Sequence, residues 1–130
     1  MGKKVLVVDD DPDVRMFNAT VVEECGHTPI EATNGEEGLK LAKAEKPDLV
    51  ILDVLMPRQS GIRLYRELKT DKAFKDLRII MLSGIAKRTF LRSQKALTEF
   101  GGEKVPEPEV YLEKPVEPEE LAEEINKLLS

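Results

Sequence analysis

Val5-Leu6-Val7-Val8-Asp9-Asp10-Asp11-Pro12 is an apolar run, three acids and a proline, and the fold follows from how this stretch divides. Four apolar residues without alternation read as a strand covered on both faces, the pattern of a parallel sheet. Asp11 suits a helix N-cap, Pro12 the first helical position and Gly26 the residue just past the end, so residues 12–25 are expected to be helical. Val14, Phe17, Val21 and Cys25 share one face of that helix. The stretch is thus a strand, a polar turn and a helix.

The same unit recurs along the chain. Leu49-Val50-Ile51-Leu52 and Ile79-Ile80-Met81-Leu82 are two further uninterrupted apolar runs, and a weaker strand is expected at 28–33. Asn34-Gly35 introduces a second helix to about Glu45, and Lys46-Pro47 closes it before a strand at 48–53. The loop from Met56 to Gly61 leads to a helix with Leu64, Tyr65 and Leu68 on one face, then a strand at 78–82. A fourth helix is expected from Ala86 to Phe100, with Ala86, Phe90, Leu97 and Phe100 on one side. Two glycines and two prolines make 101–109 a loop before a short strand at 110–113, and Leu121, Ile125, Leu128 and Leu129 mark a last helix. Five strands alternating with five helices imply an α/β fold, a (βα)5 doubly wound parallel sheet with helices on both sides.

Length and composition limit the function. A chain of 130 residues is expected to form a single domain over 1–130, with no output domain after residue 129, whether it stands alone or is cut from a longer regulator. There is no apolar stretch long enough for a signal-peptide core or a membrane span, and the single Cys25 cannot form an internal disulfide, so a cytoplasmic location is expected. A net charge of −5 argues against direct nucleic-acid binding. The charge is also unevenly spread. Residues 58–95 carry eleven Lys/Arg against three acids, and residues 99–124 carry ten Glu against two Lys, which gives either two solvated faces or a charge-matched docking surface.

In open α/β sheets, ligands bind beyond the carboxyl ends of the strands. Here those ends carry Asp9-Asp10, Asp53, Ser83-Gly84 and Lys114-Pro115. Three carboxylates converging beside a buried sheet repel one another, and a cation relieves the repulsion. An oxygen-only donor set without His or Cys selects a hard ion, and few carboxylates with room for water and phosphate oxygens favour Mg²⁺ over Ca²⁺. Asp9 and Asp10 are the expected metal residues, with Asp53 sharing the ion. A carboxylate becomes a nucleophile toward phosphorus when a metal and a lysine neutralise the charge, and Lys114 is the available lysine. Ser83 offers a hydroxyl to a phosphate oxygen, and Gly84 leaves the approach open.

Together, Val8-Asp9-Asp10-Asp11-Pro12, Asp53-Val54-Leu55-Met56-Pro57, Ser83-Gly84 and Lys114-Pro115 resemble the signature of the CheY-like receiver domains of two-component response regulators, over the whole chain. The resemblance implies a flavodoxin-like sheet of order 2-1-3-4-5 and a cis peptide bond between Lys114 and Pro115. It implies Asp53 as phosphoacceptor, Asp9 and Asp10 as the acid pair for Mg²⁺, Leu55 as the donor of a backbone carbonyl to the metal, Ser83 as switch hydroxyl, Lys114 as the partner lysine and Tyr111 as switch aromatic. The partners it implies are a sensor histidine kinase and a downstream protein bound at the helix 4–strand 5–helix 5 face, with the chain a monomer or a phosphorylation-dependent dimer. Two departures stand out. The segment between Ser83 and Lys114 is longer than is usual in the family, with Gly101 to Glu109 in place of its usual small-residue run, and Leu55 is apolar where a polar side chain is common.

Three functional readings follow from these residues. The first is a signalling switch that catalyses only its own phosphorylation and dephosphorylation, and so is not an enzyme toward a separate substrate. The second is a Mg²⁺-dependent phosphohydrolase of the haloacid dehalogenase type, which needs an acid two residues past its nucleophile, where Leu55 stands. The third is a phosphorylation-independent adaptor, against which the intact Asp9, Asp10, Asp53 and Lys114 argue. His27, between Gly26 and the second strand, reads as a solvated loop residue, and Cys25 as a small core residue.

Overall fold

The computed structural model describes residues 2–53, 60–92 and 107–130. Five strands, β1 (Lys4–Val8), β2 (Thr28–Ala32), β3 (Leu49–Asp53), β4 (Arg78–Ser83) and β5 (Val110–Glu113), form one sheet of order β2-β1-β3-β4-β5. All four pairings are parallel. The helices are α1 (Pro12–Glu24), α2 (Gly35–Glu45), α3 (Ser60–Thr70), α4, described over 87–92, and α5 (Pro118–Leu129). A short 3-10 helix, Lys72–Phe74, lies between α3 and β4; no sequence pattern announced it.

The apolar runs lack alternation because both sheet faces are covered. Leu6, Val8, Val50, Leu52, Ile79 and Met81 pack with Ala42, Leu64, Tyr65, Leu68 and Phe90 from α2, α3 and α4. The intervening residues Val5, Val7, Leu49, Ile51, Ile80 and Leu82 pack with Val21, Val22, Leu121, Ile125 and Leu129 from α1 and α5. Alternate side chains of one strand thus feed two cores, and β1, β3 and β4 are the strands that must be apolar throughout. β2 is an edge strand, only partly buried, which is why it reads weakly and can hold Pro29.

Local signals set the helix ends as expected. Asp11 accepts from the N–H groups of Asp13 and Val14 at the start of α1, and Gly26 has φ +86° beyond its end. Asn34 caps α2 through Glu37 N–H at 2.8 Å, while the Glu37 carboxylate accepts from Thr33 N–H, a reciprocal box. Lys46 closes α2 in the left-handed region at φ 49°. The Lys114–Pro115 bond is cis.

Two expectations about helix faces need correction. On α1 the buried residues are Asn18, Ala19, Val21 and Val22, whereas Phe17 is 40% exposed and Met16 61%. Of the residues expected on one face, Val21 and Cys25 do pack on the core, whereas Phe17 does not and Asn18 takes its place. The true stripe includes Asn18 and leans toward Arg15, because the first turns of α1 cover the polar carboxyl end of β1. Ala86 is exposed ahead of α4, whose first buried apolar residue is Phe90; Leu97 and Phe100 lie outside the described residues, as does the loop from 101 to 106. His27 is half-buried, and its Nδ1 accepts from Lys3 N–H at 3.0 Å. Cys25 is partly buried against the α1–α5 core.

Candidate functional site

Strand order reverses between β1 and β3, and their carboxyl ends sit side by side there. Val8 pairs with Leu52, so Asp9, the residue after β1, lies beside Asp53, the last residue of β3. The β3–β4 and β4–β5 registers then bring Ser83 and Lys114 to the same rim. Carboxylate oxygens of Asp9, Asp10 and Asp53 lie within 4.8 Å of one another. Lys114 Nζ donates to Asp53 Oδ2 at 2.8 Å. Lys114 is held there by its own backbone, whose N–H donates to the Ser83 carbonyl at 2.7 Å.

Asp9 and Asp53 are buried, and Asp10 is exposed. Asp9 is almost fully constrained. Its N–H donates to the Ala32 carbonyl at 3.1 Å and its Oδ1 accepts from Asp11 N–H at 2.9 Å. Its carbonyl accepts from Arg15 Nη1 at 2.9 Å. Among the described residues, its Oδ2 is buried without a hydrogen-bond partner. Burial, chiefly, pushes the Asp9 carboxyl up from 3.8 to about 6; the Asp11 N–H and Lys114 oppose this, and Asp53 and Asp10 add to it. An orphaned, buried carboxylate oxygen aimed among two other acids is costly unless a cation shares it. The donor set is oxygen only, so the residues present fit Mg²⁺. Leu55, whose carbonyl was expected to join them, lies outside the described residues.

Ser83, Ile85 and Tyr111 form a second group behind the acids. Ser83 is fully buried, and its Oγ accepts from Ile85 N–H at 3.0 Å. The Tyr111 hydroxyl donates to the Ile85 carbonyl at 2.6 Å. Burial raises the Tyr111 phenol, so it stays a donor at neutral pH. Glu113, two residues along β5, accepts from Lys87 N–H at 2.9 Å at the start of α4. Tyr111 and Glu113 point the same way because strand side chains alternate, so β5 grips the β4–α4 loop at two points. Phe90 sits between Tyr65 and Tyr111, with ring centroids 6.0 and 5.3 Å away.

Of the site residues expected from the sequence and present among the described residues, Asp9, Asp10, Asp53, Ser83 and Lys114 lie at this rim and Tyr111 lies behind it. The parts that sequence reasoning missed are Arg15, Glu113 and the Ile85 backbone. The Arg15 signal was its i+6 spacing from Asp9, one turn into α1; Glu113 gave only its place beside Lys114.

A profile described as Response regulator receiver domain matches residues 5–126. The chain belongs to this family. Among curated relatives of the receiver, the phosphate regulon transcriptional regulatory protein PhoB of Pseudomonas aeruginosa is 35% identical over 99% of this chain and 52% of its own length. Protein PilH of the same organism is 32% identical over 98% of both chains. The chain spans 30% of the Bacillus subtilis regulator PhoP and about half of PhoB, so it matches only part of the regulators that head its relatives. In structure it is similar to the chemotaxis response regulator CheY4 of Vibrio cholerae, with a TM-score of 0.80 at 26% identity, covering 99% of this chain and 100% of that one. A putative response regulator from Chloroflexus aurantiacus gives a TM-score of 0.78 at 30% identity, covering 99% and 98%. Receiver domains are signalling domains of two-component systems that act with histidine kinases and downstream effectors, and in general they are not enzymes. Among the described residues, no helix is long and apolar enough to cross a membrane.

Proposed function

We propose that this receiver is a phosphoryl-accepting switch in which Asp53 takes the phosphoryl group and the β4–α4 loop reads it. One observation carries the reading: Lys114 Nζ stands 2.8 Å from Asp53 Oδ2, in a cluster where Asp9 keeps one buried oxygen free. Asp9, Asp10 and Asp53 would hold Mg²⁺. When bound, the ion supplies charge neutralisation to an incoming phosphoryl group.

The donor's phosphorus bond breaks as an Asp53 carboxylate oxygen bonds to phosphorus, and the electron pair leaves with the donor. For a phosphohistidine the leaving atom is an imidazole nitrogen; for a small acyl phosphate it is an oxygen. The Lys114 side chain offsets charge on the transferring group. Asp53 is 6% exposed, so the acceptor oxygen meets little competing water.

The acylphosphate adds about −1.5 to −2 charge and three acceptor oxygens at Asp53. Ser83 Oγ accepts from Ile85 N–H, and its hydroxyl, which is hydrogen-bonded to the Tyr111 phenol, can turn its proton to a phosphate oxygen instead. Moving Ser83 toward that oxygen draws on the same Ile85 peptide that Tyr111 holds from the other side. A charge-assisted bond contributes about 1.5–3 kcal/mol, and Ser83 supplies one such new bond, Lys114 being bonded to Asp53 before phosphorylation. Taking a population from 1:99 to 99:1 needs about 5.5 kcal/mol, so the Ser83 contact covers roughly a quarter to a half of such a shift. The output surface is the start of α4 with β5 and α5. There Lys87, Arg88 and Arg92 on α4 and Glu117, Glu119 and Glu120 at the start of α5 are all exposed, charges suited to a specific downstream protein.

The test is incubation with acetyl phosphate and Mg²⁺ followed by intact mass. Gain of one labile phosphoryl group, abolished in Asp53→Asn, supports the switch. An unmodified wild type favours an adaptor, and steady release of phosphate from a free phosphomonoester favours a phosphohydrolase.

A further inference from the structure

We infer that Arg15 is a positioning residue for the acidic site, a strut that fixes the backbone of Asp9 so that its one free oxygen is presented to the cation. The inference rests on reading the cluster as a Mg²⁺ site. Arg15 lies in the second turn of α1 and is largely buried, with its side chain 17% exposed. Its Nη1 donates to the Asp9 carbonyl at 2.9 Å, and its Nε faces Glu31 Oε1 at 3.4 Å. Glu31 lies on β2, next to the Ala32 whose carbonyl receives the Asp9 N–H. One guanidinium therefore joins the ends of β1 and β2 to the helix that follows the acids. Each of its contacts falls on a group that sets the direction of Asp9.

The chemistry of the arrangement separates positioning from charge. A guanidinium bonded to the Asp9 backbone has an alternative: it can turn onto the acidic side chains and take the cation's place. Here, among the described residues, its polar contacts are instead a backbone carbonyl and the Glu31 carboxylate, so its charge is partly matched before it reaches the cluster. If Arg15 mattered only as a nearby positive charge, removing it would strengthen binding of a divalent cation. If it matters by holding Asp9, removing it weakens binding, because the Asp9 carbonyl is released and Oδ2 loses its fixed direction. The two roles predict opposite signs. Outer partners of metal ligands typically change affinity by about 10–100-fold, and a single backbone bond belongs at the low end of that range.

The experiment is a calorimetric Mg²⁺ titration of the full chain, with metal-free urea unfolding as the check on folding. Arg15→Ala is expected to bind Mg²⁺ about tenfold more weakly, and Arg15→Lys, which keeps a donor near the carbonyl, to recover most of the loss. The backbone amide nitrogen of Asp10, which follows the bonded carbonyl, is expected to shift in the NMR spectrum of metal-free Arg15→Ala and to shift less in Arg15→Lys. If Arg15→Ala does not fold, Arg15→Met carries the test: it keeps the apolar stem but neither the charge nor the donor, so the two roles again predict opposite signs, and Mg²⁺ binding is expected to weaken about tenfold. Wild-type affinity that is matched or exceeded by the variant tested overturns the inference and leaves the metal site standing. A wild type that binds no Mg²⁺ overturns the metal site itself, and the inference with it.

Discussion

Asp9 gives the sharpest quantitative test, because its burial makes it a stability cost that function repays. A carboxyl raised from 3.8 to about 6 is hard to keep charged in the fold. At about 1.4 kcal/mol per pH unit, the penalty in the metal-free protein is on the order of 3 kcal/mol. The folded state binds the proton more tightly than the unfolded state, so the penalty is absent below 3.8 and grows as pH rises. It is complete once pH exceeds about 6. Asp9→Asn removes the charge while keeping an oxygen for Asp11 N–H. In the presence of a chelator at about pH 7.5, Asp9→Asn is therefore expected to be more stable than wild type by roughly 1–3 kcal/mol, and the gap is expected to close toward about pH 4. Excess Mg²⁺ offsets the gap: at about 100 times its dissociation constant it stabilises the wild type by about 2.7 kcal/mol and the variant far less. Urea unfolding at several pH values, with and without the ion, measures all of these quantities. A metal-free Asp9→Asn that is less stable than wild type at neutral pH, or a gap that does not depend on pH, refutes the reasoning.

Three further outcomes follow from other contacts. Lys114→Ala is expected to slow phosphorylation by acetyl phosphate about 10²–10³-fold, as loss of one charge-stabilising donor does, while Mg²⁺ affinity holds or rises because a competing cation is gone; intact mass against time and calorimetry read the two effects separately. Glu113→Ala frees Lys87 N–H, so hydrogen exchange at that amide is expected to speed up about fivefold or more, and stability to fall by about 1 kcal/mol. Gly38→Ala places a Cβ 2.8 Å from Leu64 Cδ2 and 3.2 Å from Val8 Cγ2. The overpacking, about 1–3 kcal/mol, outweighs the roughly 1 kcal/mol gained in helix propensity, so urea unfolding is expected to show net destabilisation.

The sheet was legible because three strands are buried on both faces, and that forces the uninterrupted runs at 5–8, 49–52 and 79–82. The site was legible because a parallel sheet delivers the residue after each strand to one rim, so strand ends alone select Asp9, Asp53, Ser83 and Lys114. Helix rotation was not. On α1, Phe17 is the larger apolar residue, yet it faces outward while Asn18 is buried, and no period-based reading separates stripes one residue apart. The choice between them is made by tertiary polar contacts, Arg15 to the Asp9 carbonyl among them. Glu113 makes the same point on a strand, since a carboxylate beside Lys114 reads as solvated until the start of α4 is found against it. Apolar patterning therefore fixes which segments meet, and polar bonds to backbone atoms fix how they are turned. In the proposed switch, phosphorylation would act on this second class of bond: Ser83 to Ile85, Tyr111 to Ile85 and Glu113 to Lys87 would be exchanged while the two apolar cores stay packed.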